Sequence, residues 1–330
     1  MEKGSRILVT GGAGMIGSNL VARLVGIGHQ VTVIDNLWRG SIDNLKYTCK
    51  ENFDKVNVII ADLSVPGDWY SAFKEIDCVY HLADIVAGIG YVFSNEGYLF
   101  RKNLLINSLV TQVVASFDIK RYIYVGTACS FPKELQTGVD AAPLKEADQF
   151  PASPESAYGW SKLMGELDAT YLAKEKDIET VVLSLHNVYG TPCDYKSPKS
   201  QVIPSLINRA IATTNKKISV WGDGSQGRAF IHVSDVVEGL VSALSKGGNS
   251  GAIQLGPNIC TSIAEIAGTI CDIVDKSIVI EYDTTKPTGD HGRRADYTKA
   301  KQVLGWEPKM DLRKGLTDLV SYVKKNEEGI

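Results

Sequence analysis

The 330-residue sequence has no marked excess of charge of either sign. Its 35 lysines and arginines are balanced by 38 aspartates and glutamates, which leaves a formal net charge of −3 at pH 7. Proteins that bind nucleic acid usually present a basic patch, because much of their affinity comes from contacts with phosphate. We therefore expect no nucleic acid among the partners of this protein.

Long apolar segments are missing as well. The uncharged stretch at residues 103–117 is interrupted by Asn, Ser, Thr and Gln, and it is shorter than the roughly 20 residues that cross a bilayer. Residues 1–6 lead directly into a strand-like segment and do not resemble an export signal. These absences predict a cytoplasmic protein that has no membrane partner.

Cysteine is scarce. The six cysteines form no C-x-x-C pair and no cluster with histidine at zinc-ligand spacing. Such spacing is the usual sign of a zinc site, so we expect no metal and predict that the thiols are free or buried. With 44% hydrophobic and 22% charged residues, the composition is that of an ordinary globular protein, and the length suggests roughly two domains.

Short β-rich segments alternate with longer helical patterns through the first half of the chain. The predicted strands cover residues 6–10, 30–35, 56–61, 77–82, 121–125 and 180–185. Between the first two, Ile16, Leu20, Leu24 and Ile27 recur at three- and four-residue steps, as on one face of a helix. This alternation is typical of βαβ units, so we predict an α/β fold with a Rossmann-type doubly wound parallel sheet.

After about residue 187 the elements become shorter and richer in glycine, proline, serine and lysine. This change predicts a smaller C-terminal α/β substrate lobe. Residues 230–235 and the apolar helix that follows at 236–244 indicate a return to the main body. The predicted organisation is a first domain at residues 1–186, with a returning segment at about 229–256, and a lobe formed by residues 187–228 and 257–330.

A glycine-rich turn follows the first predicted strand and opens the first helix. Gly11, Gly14 and Gly17 give the spacing G-x-x-G-x-x-G. Glycine lets the turn be tight and the backbone approach a pyrophosphate, and the amides of the helix N-terminus bind the anion. Asp35 ends the second strand, where a carboxylate accepts hydrogen bonds from the adenosine ribose and repels a 2′-phosphate. These features predict NAD rather than NADP, a preference that the nearby Arg39 weakens.

Tyr158 and Lys162 stand four residues apart at the start of a predicted helix, so their side chains share one face. An ammonium beside a phenol favours the phenolate. We therefore expect the pKa of Tyr158 to fall from about 10 towards neutral, as a general base requires. Thr127, at the end of the fifth strand, supplies a hydroxyl that positions the substrate oxygen. The three residues predict a centre that moves a proton and a hydride at one carbon.

Together these motifs resemble the extended short-chain dehydrogenase/reductase family, and the resemblance covers nearly the whole chain. It implies that residues 1–186 bind NAD, that Tyr158 is the acid/base, that the second lobe holds a nucleotide diphosphate-sugar, and that two chains form a homodimer through helices at 103–117 and 161–174. The implied cofactor contacts are Gly11, Gly14, Met15, Ile16, Gly17, Asp35, Asn36, Arg39, Asp62, Leu63, Leu82, Ala83, Asn103, Tyr158 and Lys162. The implied substrate contacts are Gly88, Asn187, Val202, Arg209, Trp221, Arg228 and Arg293 or its neighbour Arg294.

Within that family, residues 127–132 and the glycine-rich residues 84–91 resemble segments of the GDP-mannose 3,5-epimerases and GDP-L-fucose synthases. This resemblance places Cys129 at their epimerising cysteine. It implies a GDP-sugar substrate, transient oxidation at C4, and removal of a neighbouring proton by the thiolate. The chain departs from the pattern at Gln201, which cannot titrate. Lys196 and Lys199 are the candidates to replace the missing acid.

Other functions are compatible with the same residues. An Asp-Glu pair after the strand-end threonine would indicate a 4,6-dehydratase, but Ala128 and Cys129 stand there. A C4-epimerase needs only Thr127, Tyr158, NAD and a sugar that can reorient, and a C4 dehydrogenase or reductase needs an exchangeable nicotinamide. A protein that binds NAD only as a sensor is the non-enzymatic alternative.

Overall fold

The fold is built on one seven-stranded parallel sheet. The structure is a computed structural model that describes residues 1–328. Residues 329 and 330 of the predicted lobe lie outside the described residues. The strands are β1 (Arg6–Thr10), β2 (Gln30–Asp35), β3 (Val56–Ile60), β4 (Cys78–His81), β5 (Arg121–Thr127), β6 (Glu179–Leu185), β7 (Asn187–Tyr189), β8 (Lys217–Trp221), β9 (Gly227–Arg228), β10 (Phe230–His232), β11 (Ala252–Leu255), β12 (Thr261–Ser262), β13 (Val279–Asp283) and β14 (Gly292–Arg293). The order across the large sheet is β11-β6-β5-β4-β1-β2-β3. All six predicted strands are therefore confirmed, and the fifth extends to Thr127.

Helices cover both faces of this sheet, which confirms the doubly wound fold class. They are α1 (Met15–Gly26), α2 (Ile42–Cys49), α3 (Ile89–Ser94), α4 (Glu96–Ala115), α5 (Ala157–Glu175), α6 (Val202–Ala212), α7 (Val233–Ser242), α8 (Ile263–Val274), α9 (Thr298–Leu304) and α10 (Leu312–Glu328). On one face α1 and α7 pack together over a core that includes Leu20, Leu24 and Val236. On the other face α4 and α5 enclose a second core with Tyr122 and Tyr124. No helix within residues 1–328 combines the length and the apolar character needed to cross a membrane.

Helix α4 begins seven residues before the uncharged stretch that the sequence indicated. Its first two turns carry Glu96, Arg101 and Lys102, with Glu96 and Arg101 exposed. A search for uncharged residues misses these turns, because charged side chains are tolerated on the outer face of a surface helix.

A third hydrophobic core lies beside the sheet and is formed by residues after 188. It joins α6, α8 and α10 to β8, with Ile207, Ile266 and Leu319 at its centre. The segment with β10 and α7 packs back onto the first core, as the sequence indicated.

The contact between α4, α5 and β5 depends on a glycine. A methyl group added to Gly165 would lie 2.3 Å from the Tyr124 hydroxyl and 2.7 Å from Asn107 Nδ2. Neither group can move freely, since the Tyr124 hydroxyl donates to Lys162 O at 3.0 Å and Asn107 donates to Ser161 O at 3.2 Å. Gly165 therefore sets the depth at which α5 lies on the sheet.

We expect Gly165→Ala to lower the free energy of unfolding by about 1–3 kcal/mol, because the added methyl overpacks a buried contact. Urea denaturation at pH 7 measures this change. The matched control is Gly268→Ala, also within a helix, where an added methyl meets no atom within 4 Å. That variant should gain about 0.5–1 kcal/mol through backbone entropy, and equal effects in the two variants would contradict the packing argument.

Glu166 on α5 is a buried carboxyl whose charge the fold disfavours. Its side chain is 6% exposed and accepts a hydrogen bond from Gln149 Nε2 at 3.0 Å. Burial raises the pKa of Glu166 to about 7, against the opposing effect of the Gln149 hydrogen bond and the nearby Lys299 and Lys162. The folded protein therefore binds more protons than the unfolded chain between the ordinary glutamate range and pH 7.

The stability that Glu166 contributes should be complete below about pH 4.5 and should be lost as the pH rises through about 7, a change of about 3 kcal/mol. Glu166→Gln keeps the hydrogen-bond acceptor but cannot titrate, so this variant should gain stability over the native protein between pH 5 and pH 8. Urea denaturation of the variant and the native protein at pH 5 and at pH 8 measures the difference in stability. Glu175→Gln, at an exposed position of the same helix, is the control, and a parallel pH dependence of Glu166→Gln and the native protein would refute the assignment.

Candidate active site

A cleft of about 1220 Å³ opens at the carboxyl ends of the parallel strands, between the large sheet and the third core. The ends of β1 to β6 each contribute to it, because parallel strands present their carboxyl ends along one edge of a sheet. The predicted catalytic, cofactor and substrate residues line this cleft, with the exception of Asn103 and Arg294.

The glycine-rich turn between β1 and α1 is too crowded for larger side chains. Gly11 has φ +69°, and a methyl group there would lie 2.8 Å from Ala83 N. A methyl group on Gly17 would lie 2.2 Å from Gly11 O. Gly14 precedes the first turn of α1, whose amides face the cleft without a side-chain cap. This close approach of backbone to backbone fits the diphosphate of a dinucleotide.

Asp35, which the sequence predicts to contact the adenosine ribose, lines the cleft. Its carboxylate accepts hydrogen bonds from Ala13 N at 2.9 Å and Leu37 N at 2.8 Å, and it is 8% exposed. Burial raises the pKa of Asp35, while these two hydrogen bonds oppose the shift. Six further predicted cofactor residues also line the cleft, namely Met15, Ile16, Asn36, Asp62, Leu63 and Leu82.

Two predicted cofactor contacts have structural partners instead. Arg39 lines the cleft but donates through Nη1 to Val86 O at 3.1 Å. Asn103 is fully buried behind the wall, where it accepts from Ile85 N at 2.6 Å and donates to Ile85 O at 3.2 Å. Its amide therefore holds the loop after β4, and the contact between Asn103 and the cofactor stays a prediction.

Thr127, Tyr158 and Lys162 all line the cleft, and Tyr158 and Lys162 lie on the same helix, α5. Lys162 is 2% exposed, and its ammonium lies 4.8 Å above the ring of Tyr124. Its charge is paired with Asp84, whose Oδ2 lies 3.2 Å from Nζ of Lys162. The same oxygen accepts a hydrogen bond from the Tyr158 hydroxyl at 3.3 Å. Sequence analysis assigned no catalytic role to Asp84, although a carboxylate three residues after the end of β4 was a usable signal.

The expected effect of Lys162 on Tyr158 is not found. Burial raises the pKa of Tyr158 well above its ordinary value, and the negative charge of Asp84 raises it further. The prediction of a lowered tyrosine pKa is therefore wrong, because it considered only the ammonium and not the carboxylate that pairs with it.

Cys129 lies on the short turn after β5, facing the guanidinium of Arg293. Nη2 of Arg293 donates to Cys129 Sγ at 3.1 Å and to Asn187 Oδ1 at 3.3 Å. Nη1 donates to Asp290 Oδ2 at 2.7 Å. Burial lowers the pKa of Arg293, but Cys129 and Asp290 outweigh it, and the net shift is upward. The sulfur of Cys129 therefore lies beside a buried cation.

Two of the predicted substrate arginines already donate hydrogen bonds to backbone carbonyls. Arg228 is 9% exposed and donates through Nη1 to Gly227 O at 2.7 Å and Asp290 O at 2.6 Å. Arg209 donates to Ser219 O and, at 3.3 Å, to Ser205 O. Both still line the cleft, as do Gly88, Asn187, Val202 and Trp221. Arg294 donates to Ala141 O at 3.0 Å and is not among the lining residues, so Arg293 is the one of the two that faces the cleft.

The two lysines suggested in place of the missing acid are bound to other groups. Lys196 pairs with Glu327 at 2.7 Å. Lys199 donates to Trp38 O at 2.9 Å and lies 3.9 Å from the centre of the Trp38 ring. Gln201 itself lines the cleft. Neither lysine is therefore placed as the second acid. Over residues 1–328, no group of three or more His, Cys, Asp or Glu side chains is arranged to hold a metal ion.

Comparison with known proteins agrees with this geometry. Residues 7–256 match the model of the NAD dependent epimerase/dehydratase family. The chain is 31% identical to GDP-mannose 3,5-epimerase 1 of Oryza sativa subsp. indica, over 98% of this chain and 82% of that protein. It is also 31% identical to UDP-glucuronic acid decarboxylase 1 of Arabidopsis thaliana, over 97% of this chain and 70% of that protein.

Solved structures show the same fold. UDP-glucose 4-epimerase from Thermotoga maritima, solved with UDP-glucose, superposes with a TM-score of 0.87 at 26% identity, over 98% of this chain and 99% of that one. UDP-glucuronic acid 4-epimerase from Bacillus cereus, solved with UDP-glucuronic acid and NAD, gives a TM-score of 0.82 at 25% identity, over 97% and 99% of the two chains. The family match extends over most of the chain, and the glycine turn and Asp35 fit its cofactor. This protein therefore belongs to the NAD-dependent epimerase/dehydratase family of enzymes.

Proposed function

We propose that this protein is a nucleotide-sugar epimerase of the GDP-mannose 3,5-epimerase type, which oxidises C4 of the sugar transiently and uses Cys129 as the base at a neighbouring carbon. The observation that carries the proposal is the 3.1 Å contact between Arg293 and the Cys129 sulfur in the same cleft as Tyr158. A cysteine that only filled space would not require a buried guanidinium as its partner.

The first step takes place at the middle of the cleft. NAD, when bound against the glycine-rich turn and Asp35, supplies the acceptor for the hydride from C4. Thr127 and Tyr158 provide the two hydroxyls that hold the sugar oxygen, and Tyr158 receives its proton. Lys162, which is paired with Asp84, places a positive charge at this centre.

The second step follows from the C4 ketone. A carbonyl makes the hydrogens on the adjacent carbons acidic, so a thiolate can remove one of them. Arg293 stabilises the negative sulfur before the proton transfer and keeps its own charge throughout. Return of a proton from the other face inverts the carbon, and reduction of C4 completes the cycle.

The lobe around the third core, residues 187–228 and 257–330, holds the nucleotide in this proposal. Asn187, Trp221 and Arg293 face the cleft from that side, and Nε of Arg293 is buried without a hydrogen-bond partner among the described atoms. The similarity to GDP-mannose 3,5-epimerases favours a GDP-sugar. Exposed apolar side chains on α4 and α5, including Leu105 and Tyr171, favour a homodimer through these helices.

A C4-epimerase is the second candidate. Gln201 cannot titrate, Lys196 is paired with Glu327, and Lys199 is bound to Trp38. A C4-epimerase needs no acid at this position, because the ketone reorients in the pocket and is reduced from its other face. The structural neighbours solved with UDP-sugars have this activity by name.

We expect Tyr158→Phe to reduce turnover by at least about 100-fold, because the sugar hydroxyl loses its proton acceptor. The assay is conversion of a panel of GDP-, UDP-, CDP- and dTDP-sugars, with NAD binding and circular dichroism as controls for the fold. If Tyr158→Phe left every biochemical property of the protein unchanged while NAD stayed bound, the enzyme mechanism would be refuted and the NAD sensor favoured.

Cys129→Ala should abolish entry of solvent deuterium at C3 or C5 while C4 oxidation persists. The reaction is run in heavy water with each sugar of the panel, and NMR reads the site of deuterium and the product stereochemistry. Cys260→Ala, which removes a thiol that does not line the cleft, is the matched control. Deuterium incorporation in Cys129→Ala equal to that of the native protein would exclude the thiol as base, and C4 inversion without any incorporation would establish the C4-epimerase.

A further inference from the structure

The carboxylate of Asp84 bridges the two side chains of the reacting centre. Its Oδ2 lies 3.3 Å from the Tyr158 hydroxyl and 3.2 Å from Nζ of Lys162. The side chain of Asp84 is 10% exposed and that of Lys162 is 3% exposed, so water does not screen this contact well. One oxygen therefore meets both the phenol and the ammonium in a nearly dry site.

The segment that follows Asp84 is held by several hydrogen bonds. Asn103 holds the backbone N–H and carbonyl of Ile85, the next residue. Arg39 donates to Val86 O at 3.1 Å, and Gly88 N donates to Lys199 O at 3.1 Å. Three separate elements thus hold residues 85–88, which places the preceding carboxylate in a set position rather than on a free loop.

This placement creates a chemical problem for Tyr158. The ammonium of Lys162, which would favour a phenolate, is already paired with Asp84. Burial and the charge of Asp84 raise the pKa of Tyr158, so the phenol holds its proton at neutral pH. A protonated phenol cannot accept the proton of a sugar hydroxyl unless its own proton leaves at the same time.

We propose that Asp84 is the proton acceptor for Tyr158 during oxidation of the sugar. The inference rests on the proposed C4 oxidation. The sugar O–H bond breaks as its proton joins Oη of Tyr158, and the phenol's original proton passes to Oδ2 of Asp84. The C–H electron pair leaves for the nicotinamide that the proposed function supplies, and the C=O bond forms. In the return step the phenol's proton passes to the sugar oxygen while the proton on Asp84 returns to Oη of Tyr158, as the hydride returns to C4.

Charged and titratable side chains from several elements surround this proton relay, which consists of Tyr158 and Asp84. Lys162 on α5 and Arg39 after β2 are the cations that face Asp84. Tyr124 on β5 and Cys129 after it face Tyr158. Behind Lys162 lie His81, whose pKa burial lowers to about 3 so that it is neutral, and Glu166, whose carboxyl the native fold holds largely protonated below pH 7.

The test compares Asp84→Asn with the native enzyme in single-turnover oxidation of an accepted nucleotide-sugar at pH 6 to 9. The amide keeps the shape but accepts no proton. We expect a loss of about 100-fold or more at pH 7, followed by a recovery of about tenfold per pH unit, since the variant must then wait for the phenolate. Asp84→Glu should regain part of the rate and the native pH profile. Asp318→Asn, the same change on the outer helix α10, is the control.

A second measurement needs no turnover. The ultraviolet absorbance of phenolate, with Tyr158→Phe subtracted, follows the titration of Tyr158 in the protein without substrate. Removal of the carboxylate should shift this titration to lower pH in Asp84→Asn, and an unshifted titration would show that the two side chains are not in contact.

The outcomes separate the inference from the proposed function. Oxidation of no sugar by the native enzyme would reject the C4 oxidation itself, and the relay with it. An active native enzyme with Asp84→Asn of equal rate and equal pH profile would overturn only the relay. A faster Asp84→Asn at neutral pH would also overturn it, because Asp84 would then merely restrain the phenolate.

Discussion

The buried ammonium of Lys162 is the constraint around which the site is arranged. A charge that is 2% exposed needs a partner, because an isolated ammonium in a nearly dry interior is strongly disfavoured. Asp84 supplies the charge, and the Tyr124 ring covers the remaining side at 4.8 Å. Since Asp84 follows β4 and Lys162 lies on α5, this one ion pair fixes the distance between the loop after β4 and the helix that carries Tyr158.

A second buried cation is held in the same manner on the substrate side. Arg293 is 4% exposed and pairs with Asp290 at 2.7 Å, and it places its other nitrogen against Cys129 and Asn187. Buried ion pairs contribute little net stability, since desolvation offsets most of the attraction, but removing one partner costs about 3–5 kcal/mol. The two pairs are better understood as positioning devices, one for the phenol and one for the thiol, within a single cleft.

Much of this arrangement could be predicted from sequence, because it is encoded locally. The buried strands are short apolar segments, the glycine spacing defines the turn before α1, and the four-residue separation of Tyr158 and Lys162 places them on one face of α5. The partners of these residues were not predictable in the same way. Asp84 is 74 positions from Tyr158, and Arg293 is 164 positions from Cys129. Only the folded chain brings such residues together, and so the sign of the tyrosine pKa shift was predicted wrongly from its near neighbour alone.

The substitution at position 201 bears most directly on which reaction this cleft supports. Cys129 faces the buried guanidinium of Arg293, yet inversion of a carbon beside C4 also needs a proton from the opposite face. Gln201 can orient a water molecule through its amide but cannot give up a proton itself. Lys199, two residues before it, lies over the Trp38 ring, and Trp38 packs edge-on against Tyr91 in the lining of the cleft. In the proposed reaction Cys129 serves as the base, and water is the source of the proton if a carbon beside C4 is inverted. If none is inverted, the C4 ketone is an intermediate, and its reorientation in the cleft determines the stereochemistry of the product.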